Sequence, residues 1–262
     1  MNEQDYCQRQ TDKPLFPDAV WSKPERKSQA GKLLIIGGNG LEFAKTQAAY
    51  NLALKIGLGE CKVVLPKTAL KVIGIHPDIE FAPNTSQGSF ALEAKADLLG
   101  YIDWADTVLL PGELGRSSET AQLIEQIISS TNKRIVLARD ALDLLHVDYA
   151  SLIRRPETTA VLSLAQLQEV FKVVGWPQAI RFQMSLPELV AQLHEFTNQY
   201  PVNLVVYFGL NLVAASSGEV VTTRLDNEPE SWRLVVATLS ATWLTWTQPF
   251  EALATSCWQF RD

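Results

Sequence analysis

The feature that most constrains this chain is a rhythm: from residue 32 onward, short wholly apolar runs alternate with longer amphipathic stretches. The first run, Leu33-Leu34-Ile35-Ile36, follows Lys32 and stops at Gly37. A strand that is apolar on both faces is covered on both faces, as at the centre of a parallel sheet. A helix is predicted over 43–56, with Phe43, Ala44, Ala48, Leu52 and Ile56 at helical spacing and Gly57 and Gly59 ending it. Further strands are predicted at 61–65, 79–82, 107–110, 134–137, 160–162 and 202–208, with helices at 118–128, 140–145 and 186–196. Ser216-Ser217-Gly218-Glu219 predicts a hairpin turn between 212–215 and 220–223, and helices at 230–244 and 249–258 close the chain. Alternation of this kind gives an α/β fold with a mainly parallel sheet and helices on both faces. Ligands in such folds bind beyond the carboxyl ends of the strands, so the loops after Ile36, Leu110, Leu137, Leu162 and Phe208 are the candidate site.

The bulk numbers narrow the class. With 262 residues, 47% hydrophobic and 20% charged, the chain suits one α/β domain, expected at 31–262. Residues 1–30 are polar and proline-containing and read as an extended arm, in which Phe16, Val20 and Trp21 are apolar enough to dock. A net charge of −6 argues against a nucleic-acid partner. Cys7, Cys61 and Cys257 lie far apart, and no cationic-then-apolar leader is visible, which together predict reduced thiols in a cytoplasmic protein. No run approaches the roughly 20 apolar residues of a membrane span, so no membrane partner is expected. His76, His146 and His194 are not at ligand spacing, and no metal site is expected. A GxSxG nucleophile elbow is absent. Trp232, Trp243, Trp246 and Trp258 concentrate aromatic area in the last two helices, for the core or a second subunit.

Gly37-Gly38-Asn39-Gly40 stands where a strand meets a helix, a place where backbone N–H groups can face an anion. Two phosphate-binding patterns fail there. The dinucleotide fingerprint starts with Gly38 and Gly40 but has Phe43 at its last glycine. The P-loop pattern ends well in Lys45-Thr46 but has Asn39 and Ala44 at its two glycines. A tight turn without a ligand remains the plain alternative.

A third pattern runs through the chain. Gly31-Lys32-Leu33-Leu34-Ile35-Ile36-Gly37-Gly38, an alanine-rich helix, Ile56-Gly57-Leu58-Gly59 and a Val-Val strand resemble the opening of the ATP- or ADP-dependent NAD(P)H-hydrate dehydratases. Asp106 to Leu110 with Pro111-Gly112-Glu113-Leu114-Gly115-Arg116 is similar to that family's strand and GPGLGR loop. Val136-Leu137-Ala138-Arg139-Asp140-Ala141-Leu142 resembles its VLDADALN segment, and 233–252 its helix after the catalytic GxGD loop. The resemblance implies a ribokinase-like three-layer αβα sandwich and a homo-oligomer. It carries Gly37, Gly38, Gly40, Lys45, Gly112 and Gly115 over as nucleotide or other small-ligand contacts.

The family's chemistry does not carry over so well. Its general base, an aspartate at a helix start, falls on Arg233, and Glu228-Pro229-Glu230-Ser231-Trp232 replaces the glycines before it. The THPxxE-like loop falls on Ser163-Leu164-Ala165-Gln166-Leu167-Gln168, the lysine of LKG is Phe208, and the first aspartate of DAD is Ala138. Glu113 is an extra carboxylate inside the GPGLGR loop. Asp140 persists and is the best remaining catalytic candidate, though it reads equally as the N-cap of the next helix. These departures predict a pseudoenzyme of that family, acting as a small-ligand-binding or assembly module. The competing expectation is an active ATP/ADP-dependent dehydratase or small-molecule kinase with Mg, using Asp140 or Asp143 as acid/base and Arg233 and Lys45 on phosphate. A third, a scaffold, uses the arm with Phe16 and Trp21 to clamp a partner subunit.

Overall fold

The computed structural model describes residues 6–21, 23, 24, 26–145, 148–227 and 230–261. Ten strands form one sheet: β1 (Cys7–Gln10), β2 (Lys32–Ile36), β3 (Glu60–Pro66), β4 (Ile79–Ala82), β5 (Thr107–Leu110), β6 (Arg134–Ala138), β7 (Thr158–Leu162), β8 (Val202–Phe208), β9 (Asn211–Ser216) and β10 (Glu219–Arg224). Their order is β1-β10-β9-β8-β7-β6-β5-β2-β3-β4. Only β9 runs against its neighbours; every other pairing is parallel. The helices are α1 (Pro17–Trp21), α2 (Ala44–Ile56), α3 (Leu70–Ile73), α4 (Lys95–Trp104), α5 (Ser118–Ser129), α6 (Asp140–Leu144), α7 (Tyr149–Arg154), α8 (Leu164–Val173), α9 (Leu186–Gln199), α10 (Trp232–Trp243) and α11 (Pro249–Arg261).

The strand alternation sorts each apolar run into two cores. Leu34 and Ile36 join Val108, Leu110 and Leu137 under α4, α5 and α7–α9, while Leu33 and Ile35 join Leu109, Val136 and Val161 under α2, α10 and α11. This is the expected three-layer αβα arrangement. Trp232 and Trp243 are buried in the second core, and in the first Phe171 stacks on Phe196 while Trp176 meets both edge-on.

Several boundaries move. The helix expected at 230–244 begins at Trp232, and helices α4, α7 and α8 fill stretches without an expected element. Within the segment expected to be an arm, β1 extends the sheet edge beside β10, where the buried Gln10 amide donates to Thr223 Oγ1 (2.7 Å) and the Ala254 carbonyl (2.9 Å). Phe16 meets the edge of Phe250 at 5.8 Å, whereas Trp21 is exposed. Among the described residues no helix is long and apolar enough to cross a membrane.

The chain order places the site. From β2 the chain moves outward through β3 and β4, then returns to β5 on the other side of β2 before continuing through β6, β7 and β8. The loops at 37–43 and 111–117 therefore diverge at this reversal, the crevice where ligands of open α/β sheets bind.

Candidate functional site

The glycine turn after β2 is committed to the fold itself. Gly37 N–H donates to the Val64 carbonyl (3.3 Å), Gly38 N–H to that of Gly112 (3.5 Å) and Asn39 N–H to that of Glu42 (2.8 Å). The Asn39 side-chain oxygen accepts from Leu41 N and Glu42 N, closing the turn. Gly40 packs on Gly88, whose Cα lies 3.2 Å from where a Gly40 Cβ would stand. The loop thus explains its glycines by close backbone approach, and few of its N–H groups face outward.

The anion position at the start of α2 is filled from within the chain. Helix α2 has no side-chain N-cap of its own; its N-cap residue is Phe43. Instead the Glu113 carboxylate accepts from Lys45 N (2.8 Å) and Thr46 N (3.3 Å). A carboxylate on free N–H groups at a helix start satisfies both hydrogen bonding and the helix dipole. Glu113 is buried at 8% exposure and adopts φ 62°, the left-handed region costly for a residue with a Cβ. Its backbone is anchored on both sides, with Asn39 Nδ2 donating to its carbonyl (3.0 Å) and its N–H donating to Asp140 (2.8 Å).

Asp140 is likewise engaged. Its two oxygens accept from Glu113 N (2.8 Å) and Leu114 N (2.9 Å). Gly112, at φ 105°, lets the loop lie this close: a Cβ there would sit 2.2 Å from Asp140 Oδ1. The N-cap reading of Asp140 is corrected, because the N-cap of α6 is Arg139, at φ 59°, and Asp140 is the first helical residue. Gly115, at φ 79°, backs onto Ser89.

Beside this loop stands a polar cluster centred on Gln166, which in the sequence stands out only as part of a segment that has lost the family's residues. Gln166 forms a capping box with Ser163 at the start of α8. Its amide nitrogen donates to the Arg139 carbonyl (2.9 Å) and to Asp143 Oδ1 (2.6 Å), and its oxygen accepts from Arg233 Nη1 (3.3 Å). The Ser-x-x-Gln spacing before an apolar stretch was the signal that could have found it. Burial of Arg233, and then the like charge of Arg139, push its pKa below the usual arginine value, while Asp143 and Asp140 pull it back. Arg139 Nε is buried and has no hydrogen-bond partner among the described residues. Arg139, Glu113 and Lys45 line an open cleft of about 430 Å³, walled by residues 41–44. The sequence-derived residues Gly37, Gly38, Gly40, Lys45, Gly112, Gly115, Asp140 and Arg233 thus all lie at the carboxyl ends of β2, β5 and β6 or at the start of α10.

Of the other positions, Phe208 is half-buried against the first core, and Trp232 packs on Tyr207 with ring centres 6.0 Å apart. Glu228 and Pro229, read as replacing the glycine loop, lie outside the described residues, as does His146. His194 stacks on Tyr6 at 3.7 Å and His76 is exposed. Among the described residues no group of three or more His, Cys, Asp or Glu side chains is placed to hold a metal ion.

A mainly parallel sheet between two helical layers, with its crevice at the β2–β5 reversal, defines the ribokinase-like class. A ribokinase-like superfamily protein from Enterococcus faecalis superposes with a TM-score of 0.74 at 15% identity, covering 98% of this chain and 87% of that one. An ADP/ATP-dependent NAD(P)H-hydrate dehydratase from Bacillus subtilis, crystallised with ATP and Mg²⁺, gives 0.62 at 12% identity, covering 92% and 82%. In sequence, the chain is 29% identical over 151 residues to a bifunctional NAD(P)H-hydrate repair enzyme from Methanothermobacter thermautotrophicus. That match covers 56% of this chain and 28% of the relative, so the chain spans only part of that protein's length. No family model matches the sequence. The chain thus has the ribokinase-like fold, and its sequence is similar in part to an NAD(P)H-hydrate repair enzyme.

Proposed function

We propose that this chain is a divergent, catalytically retired member of the NAD(P)H-hydrate dehydratase family, which persists as a small-ligand-binding or subunit-assembly module. The observation that carries the reading is Arg233. It stands at the first turn of α10, the position that the sequence resemblance matches to the family's aspartate base, and its guanidinium is tied to Gln166. Burial lowers its pKa but leaves a cation at any physiological pH, and a cation cannot take a proton from water or a hydroxyl. Two carboxylates support the same reading: Glu113 sits on the α2 N–H groups, and Asp140 spends both oxygens holding the 112–114 loop.

The test is direct. Purified chain is incubated with NADH hydrate and ATP or ADP plus Mg²⁺, and the return of reduced-nicotinamide absorbance is followed. No return above the uncatalysed rate is expected, either for the wild type or for Arg233→Asp. Turnover by the wild type, abolished by Arg233→Ala, would overturn the reading.

One observation favours the alternative of a rearranged active site. Arg233 feels the charges of Arg139, Asp143 and Asp140 and shares Gln166 with Asp143, an arrangement suited to a phosphorylated substrate with Asp143 as acid/base. The same assay, repeated with Asp143→Asn, separates the two: loss of a measurable wild-type rate in that variant favours the alternative.

A further inference from the structure

A second pocket, of about 240 Å³, opens on the α2 side of the sheet, where β4 carries the sheet beyond the strand that α2 covers. Its floor is Val63, Leu65 and Ile79, and Phe43, Tyr50 and His76 flank it. No Asp, Glu, Lys or Arg lines it among the described residues. An ion entering such a pocket would lose its hydration and find no counter-charge, so the lining selects an uncharged ligand. Two of the flanking rings are held in place from outside the pocket. The Tyr50 hydroxyl donates to the Asp78 carboxylate (2.7 Å), and Asp78 N–H donates to His76 Nδ1 (3.2 Å). The two rings stand edge-on with centres 6.3 Å apart. Walls fixed in this way suit a flat ring, which pairs with aromatic neighbours by offset or edge contacts.

One polar group in the lining is unspent. Thr46 is 1% exposed, and its hydroxyl has no hydrogen-bond partner among the described residues. On its far side stands Gly37, where a Cβ would lie 2.5 Å from the hydroxyl oxygen, so the turn after β2 gives it room but no partner. A buried hydroxyl left unpaired is uncommon in a folded chain and points to a group that the fold itself does not supply. We propose that this pocket binds a small uncharged heteroaromatic molecule, its ring against Val63, Leu65 and Tyr50 and its ring nitrogen or oxygen on the Thr46 hydroxyl. The volume limits it to one or two rings, since sites for drug-sized ligands span about 300–1,000 Å³. The inference goes beyond the reading of Arg233, and it stands whether or not the chain has lost its catalysis.

The test uses indole as the probe and indene as its control, a molecule with the same two-ring frame and no N–H. Each is titrated into the full chain, with binding followed through the backbone amide shifts of the protein. Wild type is expected to bind indole saturably, with shifts at Tyr50, Val63 and Leu65. The ratio of indole to indene affinity is expected to fall about fivefold in Thr46→Val, the scale of one net hydrogen bond, and to be recovered in Thr46→Ser. Because the hydroxyl has no partner in the fold, Thr46→Val is expected to unfold at a urea midpoint no lower than that of wild type, which separates lost binding from lost folding. Ile73→Trp, at the half-buried rim, is expected to fill the pocket and abolish binding of both probes. No saturable indole binding up to its solubility limit, an unchanged ratio in Thr46→Val, or unchanged binding in Ile73→Trp overturns the proposal. Should Ile73→Trp not fold, wild-type shifts that spare Tyr50, Val63 and Leu65 are equally fatal.

Discussion

Truncating Asp140 is the sharpest test of how the loop after β5 is held. Its two oxygens accept from Glu113 N at 2.8 Å and Leu114 N at 2.9 Å, and Leu114 is fully buried while Glu113 is nearly so. Asp140→Ala leaves both donors without an acceptor. Each unpaired buried donor costs about 1–3 kcal/mol, and bonds to a charged acceptor lie in the upper part of that range. Water entering from the neighbouring cleft recovers some of this, so a net loss of about 3 kcal/mol is expected. Asp140→Asn retains one acceptor oxygen and should lose about 2 kcal/mol. For a chain of this size 1 kcal/mol corresponds to about 2–4 °C in Tm, so Asp140→Ala should melt roughly 6–12 °C below the wild type. The assay is urea unfolding, with a lower midpoint and an unchanged slope identifying a stability effect. A double-mutant cycle with Glu113→Gly should show coupling above about 0.5 kcal/mol, since one side chain holds the other's backbone. A loss below about 1 kcal/mol for Asp140→Ala, or strict additivity in the cycle, would refute the argument. It would mean that the loop's N–H groups are solvated or find other partners.

Three further outcomes are expected. At position 113, where φ is 62°, glycine should be more stable than alanine by roughly 1 kcal/mol, because both lose the α2 cap but only alanine keeps the left-handed strain; Tm values of the two variants check this. Gly59→Ala would place a Cβ 2.1 Å from the Lys27 carbonyl oxygen, a collision with backbone rather than a flexible side chain, and should cost at least about 2 kcal/mol in urea unfolding. Burial pushes the Cys257 thiol up to about 12 from 9.0. A raised folded pKa gives stability that is full below the unfolded value and is lost as pH climbs through the folded one. Tm should therefore fall between about pH 9 and 12, and Cys257→Ala should flatten that fall.

The strands at 79–82, 107–110 and 202–208 were legible to the residue because each is a mostly apolar stretch closed by a polar, proline or glycine boundary. The same local code hid β1. Cys7-Gln8-Arg9-Gln10 has no apolar alternation, and it is a strand only because β10 offers an unpaired edge and Thr223 and Ala254 offer partners for Gln10. Helix α8 announced itself only through the Ser163–Gln166 capping box, which the resemblance to a ligand-binding loop obscured. The candidate site divides in the same way. Which residues stand at the strand ends followed from the alternation of elements and from the sequence blocks that resemble those of the hydrate dehydratases. What those residues touch did not.

The sequence by itself determined the sandwich and the location of the crevice, because each is written in neighbouring residues. Only the tertiary structure decided that Glu113 caps a helix 68 positions away, that Asp140 holds a loop 27 positions before it, and that Gln166 joins Arg139, Asp143 and Arg233. The physical reason is that a carboxylate's role depends on which unsatisfied N–H groups the packed sheet brings within about 3 Å of it, and that distance exists only once the strands have found their neighbours.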